Sequence, residues 1–256
     1  MRLVLNNYNC RWGSRVEVKI CSNFVVPLLN FVIIMRRILL LTMTAVLLVM
    51  LVSLRALAQI PYYAGTAGKG RLYGYTSLKV RPGINHQETY TTFQYGLGDH
   101  FDTGIDLYTG PGCAYWGALV RFGVKPSKWF NIGAEVIPSF NLNDSFKFSY
   151  LTSGLYLNGA ITGDGRLFWC SNTWWIVNDG ADDAYSNYEY LGYTIPLKKN
   201  RSLTPMIGAV HSWRFNQDPE PAAGLYYTFK NWNLYFWGHD FLHSHPRFVI
   251  GIDFLM

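Results

Sequence analysis

The segment Arg247-Phe248-Val249-Ile250-Gly251-Ile252-Asp253-Phe254-Leu255-Met256 closes the chain. Its alternation sets Phe248, Ile250, Ile252, Phe254 and Met256 on one face of a strand, and Arg247, Val249, Gly251 and Asp253 on the other. One face is wholly apolar; the other carries both charge signs. A soluble domain tends to fray at its ends, so a strand that keeps its pattern to the last residue predicts a sheet with lipid on one side and water on the other.

The other end predicts export. Met35-Arg36-Arg37 precedes an uncharged run from Ile38 to Leu54, and Ala56-Leu57-Ala58 supplies a small-x-small cleavage site before Gln59. That is the layout of a secretory signal peptide over 35–58, despite Arg55, with cleavage expected after Ala58. Residues 1–34 lack this logic and read as an upstream extension, with Met35 as the start. The competing reading is a retained membrane helix around Phe24 to Leu54, which Pro27, Asn30 and the arginine pair interrupt.

Charge follows the same division. Seven of the 22 Lys and Arg lie before Gln59 against one acid, Glu17, which leaves 15 basic and 15 acidic residues in the remainder. The high pI is therefore a property of the leader and gives no support for nucleic-acid binding. Of the four cysteines, Cys10 and Cys21 precede the cleavage site. Cys113 and Cys170 are placed in an outer loop and near the inner end of a strand, too far apart to be bridged.

After a lead-in over 59–70, segments of about ten alternating residues recur, the length that crosses a bilayer as tilted strands. Twelve are expected: 71–80, 87–97, 100–108, 115–124, 129–140, 146–161, 166–177, 187–197, 203–215, 222–230, 232–239 and 247–256. In the fourth, Trp116, Ala118, Val120, Phe122 and Val124 alternate with Gly117, Arg121 and Gly123; in the fifth, Phe130, Ile132, Ala134, Val136 and Phe140 oppose Asn131, Gly133 and Glu135. Turns after even strands, such as Gly98-Asp99 and Lys230-Asn231, are tight, and the others are expected to be longer on average. Aromatics gather near strand ends as two girdles, Tyr95, Phe101, Phe122, Trp129, Trp169, Phe229 and Trp232 at one end and Trp116, Phe140, Phe146, Trp175, Trp213 and Phe248 at the other. Pro138, Pro196 and Pro205 are expected near strand ends, because a closed barrel has no edge to host them. The fold class is all-β, a closed antiparallel up-and-down transmembrane barrel over 71–256. A soluble barrel with a polar exterior and an apolar interior is the alternative.

The ending also resembles the carboxy-terminal insertion signal of bacterial outer-membrane β-barrel proteins, a Gly three residues before an aromatic that itself stands two before a terminal aromatic. Gly251 and Phe254 fit; Met256 stands where Phe or Trp is usual, and Val249 where a polar residue is usual. The resemblance implies residence in the outer membrane among lipid and lipopolysaccharide, with insertion machinery engaging the last strand.

Inward positions expected to line the lumen are Arg71, Tyr73, Lys79, Gln94, Asp102, Asp106, Arg121, Glu135, Arg166, Tyr188, Tyr190, Arg247 and Asp253. Mixed charge and tyrosines predict either a narrow path for small polar solutes or a filled barrel with a structural, adhesive or assembly role. A lipid hydrolase is the lesser alternative. His211-Ser212 compares with outer-membrane phospholipase A, whose His and Ser stand two apart on one face; here they are adjacent and point to opposite faces, so no catalytic residue carries over. His239, His243 and His245 are the densest set of metal-ligand types, more simply read as a solvated loop. No cofactor is expected.

Overall fold

The computed structural model describes residues 65–82, 86–127, 129–178, 183–212, 216–241 and 246–256. The leader, the extension before it, the competing helix, lead-in residues 59–64, Trp213, His243 and His245 lie outside these.

The strands are β1 (Leu72–Arg81), β2 (His86–Gly96), β3 (Phe101–Gly110), β4 (Cys113–Ser127), β5 (Phe130–Asn141), β6 (Lys147–Ala160), β7 (Leu167–Asn178), β8 (Ala184–Tyr193), β9 (Ile195–Leu197), β10 (Arg201–Ser212), β11 (Asn216–Phe229), β12 (Trp232–His239) and β13 (Arg247–Leu255). Each pairs antiparallel with the next, except that β8 passes over β9 to pair with β10; β13 pairs with β1, and the ring is complete. β8 and β9 form one wall strand interrupted at Thr194, because both pair with β10 in a single register: Met206 opposite Gly192, Leu203 opposite Ile195. The wall thus has twelve strand positions and no open edge, so every peptide group inside a bilayer finds a neighbour.

Sidedness follows from period two. Outward positions carry exposed apolar side chains, among them Ile207 at 66% and Ile250 at 58% relative exposure, whereas inward Asp102 is at 0% and Arg121 and Glu135 at 6%. An apolar exterior around a charged interior is the inverse of a soluble barrel, which excludes that alternative. Tyr95, Phe101, Phe122, Trp129 and Phe229 are exposed toward the end where the first and last strands begin and finish, the periplasmic end in outer-membrane barrels. Toward the other end Trp116, Phe140, Phe146 and Phe148 cluster, with Phe140 stacked on Phe146 at 5.0 Å, and Phe236 stacks on Phe248 at 5.9 Å.

Two expectations change. Connections at the outer end do remain longer on average, up to the seven residues 240–246 between β12 and β13, although Pro111 and Gly112 alone join β3 to β4 there. Cys113 opens β4 with a buried side chain rather than lying in a loop; no disulfide joins it to Cys170. Pro138 and Pro205 stand inside β5 and β10. Pro205 is accommodated because it lies across from the break at Thr194, between the Leu203 and Met206 pairings, and the Thr194 and Thr204 hydroxyls meet at 3.3 Å there. The turn after β9 is tight: Leu197 pairs with Arg201 across three residues, of which Lys199 and Asn200 adopt positive φ, 62° and 54°.

Candidate functional site, the inner wall of the barrel

Register brings the inward polar residues together in several bonded groups. Asp102 of β3 is the Cα partner of Arg121 on β4, which partners Glu135 on β5. Arg121 Nη1 lies 3.5 Å from Glu135 Oε2, and the guanidinium sits 4.2 Å over the Tyr156 ring. Tyr156 donates its hydroxyl to Glu135 Oε1 and accepts a bond of 2.9 Å from Trp174 Nε1. Two strands away Asp106 Oδ1 accepts the Thr92 hydroxyl, and on the far side of β1 Asn233 Nδ2 donates to Asp253 Oδ1 at 2.6 Å. Thr228 completes that branch by donating to Asn233 Oδ1 at 2.6 Å. A charge-assisted bond holds each carboxylate more firmly than a neutral one would.

The outer mouth is ringed by matched charges. Lys79 and His86 both bond Glu88, Arg81 approaches Asp240 at 3.9 Å, and Arg247 approaches Glu220 at 3.8 Å. His239 is buried beneath this ring, 6.3 Å from Tyr188 and 5.7 Å from Trp237 by ring centroids. It packs with aromatics, and among the described residues no group of three metal-ligating side chains occurs.

From β7 to β12 the inner wall also carries an apolar cluster: Phe168, Cys170, Tyr190, Met206, Val210, Ala222, Tyr226 and Trp237 pack together. Tyr190 and Trp237 meet at 4.4 Å although β10 and β11 separate their strands, so they reach across the interior. Trp237 donates to the Tyr226 hydroxyl at 3.0 Å and lies flat over Gly224, where an added Cβ would stand 2.4 Å from the indole. Tyr235 covers Gly251 in the same way, at 2.2 Å. Gly251 thus serves the interior as the seat of a ring.

The periplasmic mouth is partly occupied by the chain itself. Gly65, Thr66 and Ala67 are buried there; Ala67 N donates to Asp102 Oδ2 at 2.7 Å, and Thr66 Oγ1 donates to the Asp99 carbonyl at 2.7 Å. Gly70 N bonds the Gly96 carbonyl at 2.8 Å, fixing the segment against β2. Beside it a cavity of about 250 Å³ is lined by Lys125, Asn131, Asn158, Asp164 and Phe168. At this turn the Thr162 hydroxyl, then the Arg166 N–H, hold the Asp164 carboxyl below the usual carboxylate range.

Of the residues expected in the lumen, Gln94, Asp102, Asp106, Arg121, Glu135, Tyr190 and Asp253 are buried on the inner face. Tyr73, Lys79, Tyr188 and Arg247 are half-buried on the same face, for they partner Gln94, Glu88, Asn172 and His239. Two stand elsewhere. Arg166 lies in the β6–β7 turn, nearly half exposed and 3.4 Å from Asp164, because the strand begins one residue later. Arg71 precedes β1, held by its N–H to the Gly68 carbonyl. Phe254 faces outward yet is buried, wedged between Phe93 and Trp232 over Gly74, while Met256 only bonds back to Leu72 through its backbone.

Tyr156, the Asn131–Asn158 amide pair at 2.8 Å and the lead-in contact to Asp102 were not among the sequence candidates. Alternation along β6 could have found Tyr156 and Asn158; the leucines between them masked the pattern. Nothing local marks the lead-in.

No family model and no curated protein matches this chain. Among solved structures, one described as KdgM porin aligns with a TM-score of 0.51 at 10% identity, over 71% of this chain and 98% of that one. A NanC porin aligns with 0.51 at 12%, over 71% and 98%. Outer membrane phospholipase A from Escherichia coli aligns with only 0.37 at 11%, over 72% and 92%, which carries no argument about activity. The likeness to the two porins concerns fold alone, and the fold is that of bacterial outer-membrane β-barrels.

Proposed function

We propose that this protein is a narrow outer-membrane pore for small polar solutes. The observation that carries the reading is a sealed wall, apolar outside, whose inner face buries polar atoms with no hydrogen-bond partner among the described residues: both ends of the Asn172 side-chain amide and Asn131 Oδ1. Buried amides are satisfied almost without exception, so a hydrated interior is their natural partner. The fold likeness to structures described as porins supports the same reading. Arg121, Glu135, Asp102 and Asp106 would then set which ions pass. In planar bilayers the purified protein should give discrete conductance steps, and Arg121→Glu should shift ion preference toward cations. A flat current trace from correctly folded protein rejects the pore.

A second reading is favoured by the Tyr190–Trp237 contact, which fills part of the interior. A barrel shut by such packing would serve a structural, adhesive or assembly role and stay electrically silent. Either reading takes the chain to be exported by its 35–58 leader and inserted through the last strand among lipid and lipopolysaccharide. Amino-terminal sequencing of the membrane form, expected to begin at Gln59, tests the leader.

A further inference from the structure

One mid-strand sector of the outer face carries a carboxylate and an imidazole. Ser171 on β7, Glu189 on β8 and Ala209 on β10 are Cα partners along one rung, and Thr173, Asn187 and His211 form the adjoining rung. All six face outward, because the residues beside them in sequence, Cys170, Asn172, Tyr190 and Val210, are buried inside. Glu189 is exposed and accepts the Ser171 hydroxyl at 2.6 Å; Asn187 Nδ2 donates to Thr173 Oγ1 at 2.9 Å. The patch lies at mid-strand, with exposed Leu191 and Ile207 on one side and Trp175 on the other. Across the barrel, β3 to β5 present Phe101, Ile105, Val120, Phe122 and Val136 outward, with no charge among them.

A carboxylate facing hydrocarbon at this depth is costly, and ionisable groups within a membrane wall normally have a partner. We propose that this sector is the contact face between two copies of the barrel, related by a twofold axis along the membrane normal. The patch carries its own complement: acid Glu189 and imidazole His211 stand on adjoining rungs with amide and hydroxyl groups between them, so a twofold copy sets donors against acceptors. Ser171 and Ala209, small and flanking Glu189, allow two walls to approach closely, as small residues do at interfaces in lipid. A partner of one dominant charge sign would be met by the opposite sign alone, which this mixed patch does not present. The inference is independent of whether the barrel conducts.

Paired cysteines test it. In a background with the four native cysteines changed to Ser, Ala209→Cys in outer-membrane vesicles should be oxidised to a single species of twice the mass, and Ile105→Cys on the opposite wall should stay monomeric. In the native background, Glu189→Leu and His211→Leu should each weaken dimer formation in lipid by roughly threefold to tenfold. Both should keep the heat-dependent electrophoretic shift of a folded barrel. Equal yields from Ala209→Cys and Ile105→Cys, or a crosslink only to a different polypeptide, overturn the proposal. So does a folded Ala209→Cys barrel that remains a monomer.

Discussion

The two halves of the inner wall do different work with the same backbone. From β13 round to β6 the interior is carboxylate, guanidinium, amide and phenol, among them Arg121, Glu135, Tyr156, Asp106 and Asp253. From β7 to β12 it is mostly ring and thioether, with Phe168, Met206, Tyr226 and Trp237 in mutual contact. Rings laid over Gly224 and Gly251 fill space and exclude water; carboxylates cannot give up their hydration so cheaply, and hold space open. A barrel of this strand number has more interior than side chains fill unaided. On the proposed pore reading, packing one side narrows the passage without closing it.

Breaking the apolar half should have the largest effect. Trp237→Ala removes the ring that Tyr190 and Tyr226 pack against, and should destabilise the folded barrel by about 3–5 kcal/mol in denaturant titration while enlarging the conductance step. A smaller loss with unchanged conductance would mean that the aromatic cluster does not bound the passage. In the polar half, Arg121→Met strands Glu135 and should cost about 1.5–3 kcal/mol; because water reaches this side, its effect should appear more strongly in ion preference than in stability. Gly251→Ala sits between the halves: its methyl would meet the Tyr235 ring and should cost about 1–3 kcal/mol, read from the same titrations.

The weakest effects lie at the periplasmic end. Ala67→Pro deletes the N–H that Asp102 accepts and should cost about 0.5–1.5 kcal/mol, yet raise conductance if the lead-in narrows the polar half. An unchanged step size would place the lead-in outside the path. Asp164 belongs to neither half and serves as the reference. Its carboxyl is depressed in the folded state, so the stability it contributes is present above the ordinary carboxylate range and is lost as pH falls through the depressed value. Asp164→Ala should therefore destabilise slightly at neutral pH and not at all in strong acid, with no change in conductance.

Much of this was legible before any coordinates. Alternation in β4 and β5 assigned the faces of Arg121 and Glu135, because period two is a local property of an extended chain. Turn residues placed strand ends within a few positions. The interior prolines misled, since their tolerance depends on how neighbours pair: Pro205 lies across from the break at Thr194 in the facing strand.

Sequence alone determined that the wall has a greasy and a wet side, and about where it crosses the membrane, for side-chain polarity and spacing suffice for that. Tertiary structure decided who touches whom. Arg121 meets Glu135 through strand register, Tyr190 meets Trp237 across two intervening strands, and Asp102 receives the backbone of Ala67 from outside the repeating pattern. Such partners are joined by the closure of the ring, and closure brings together residues that no local spacing relates.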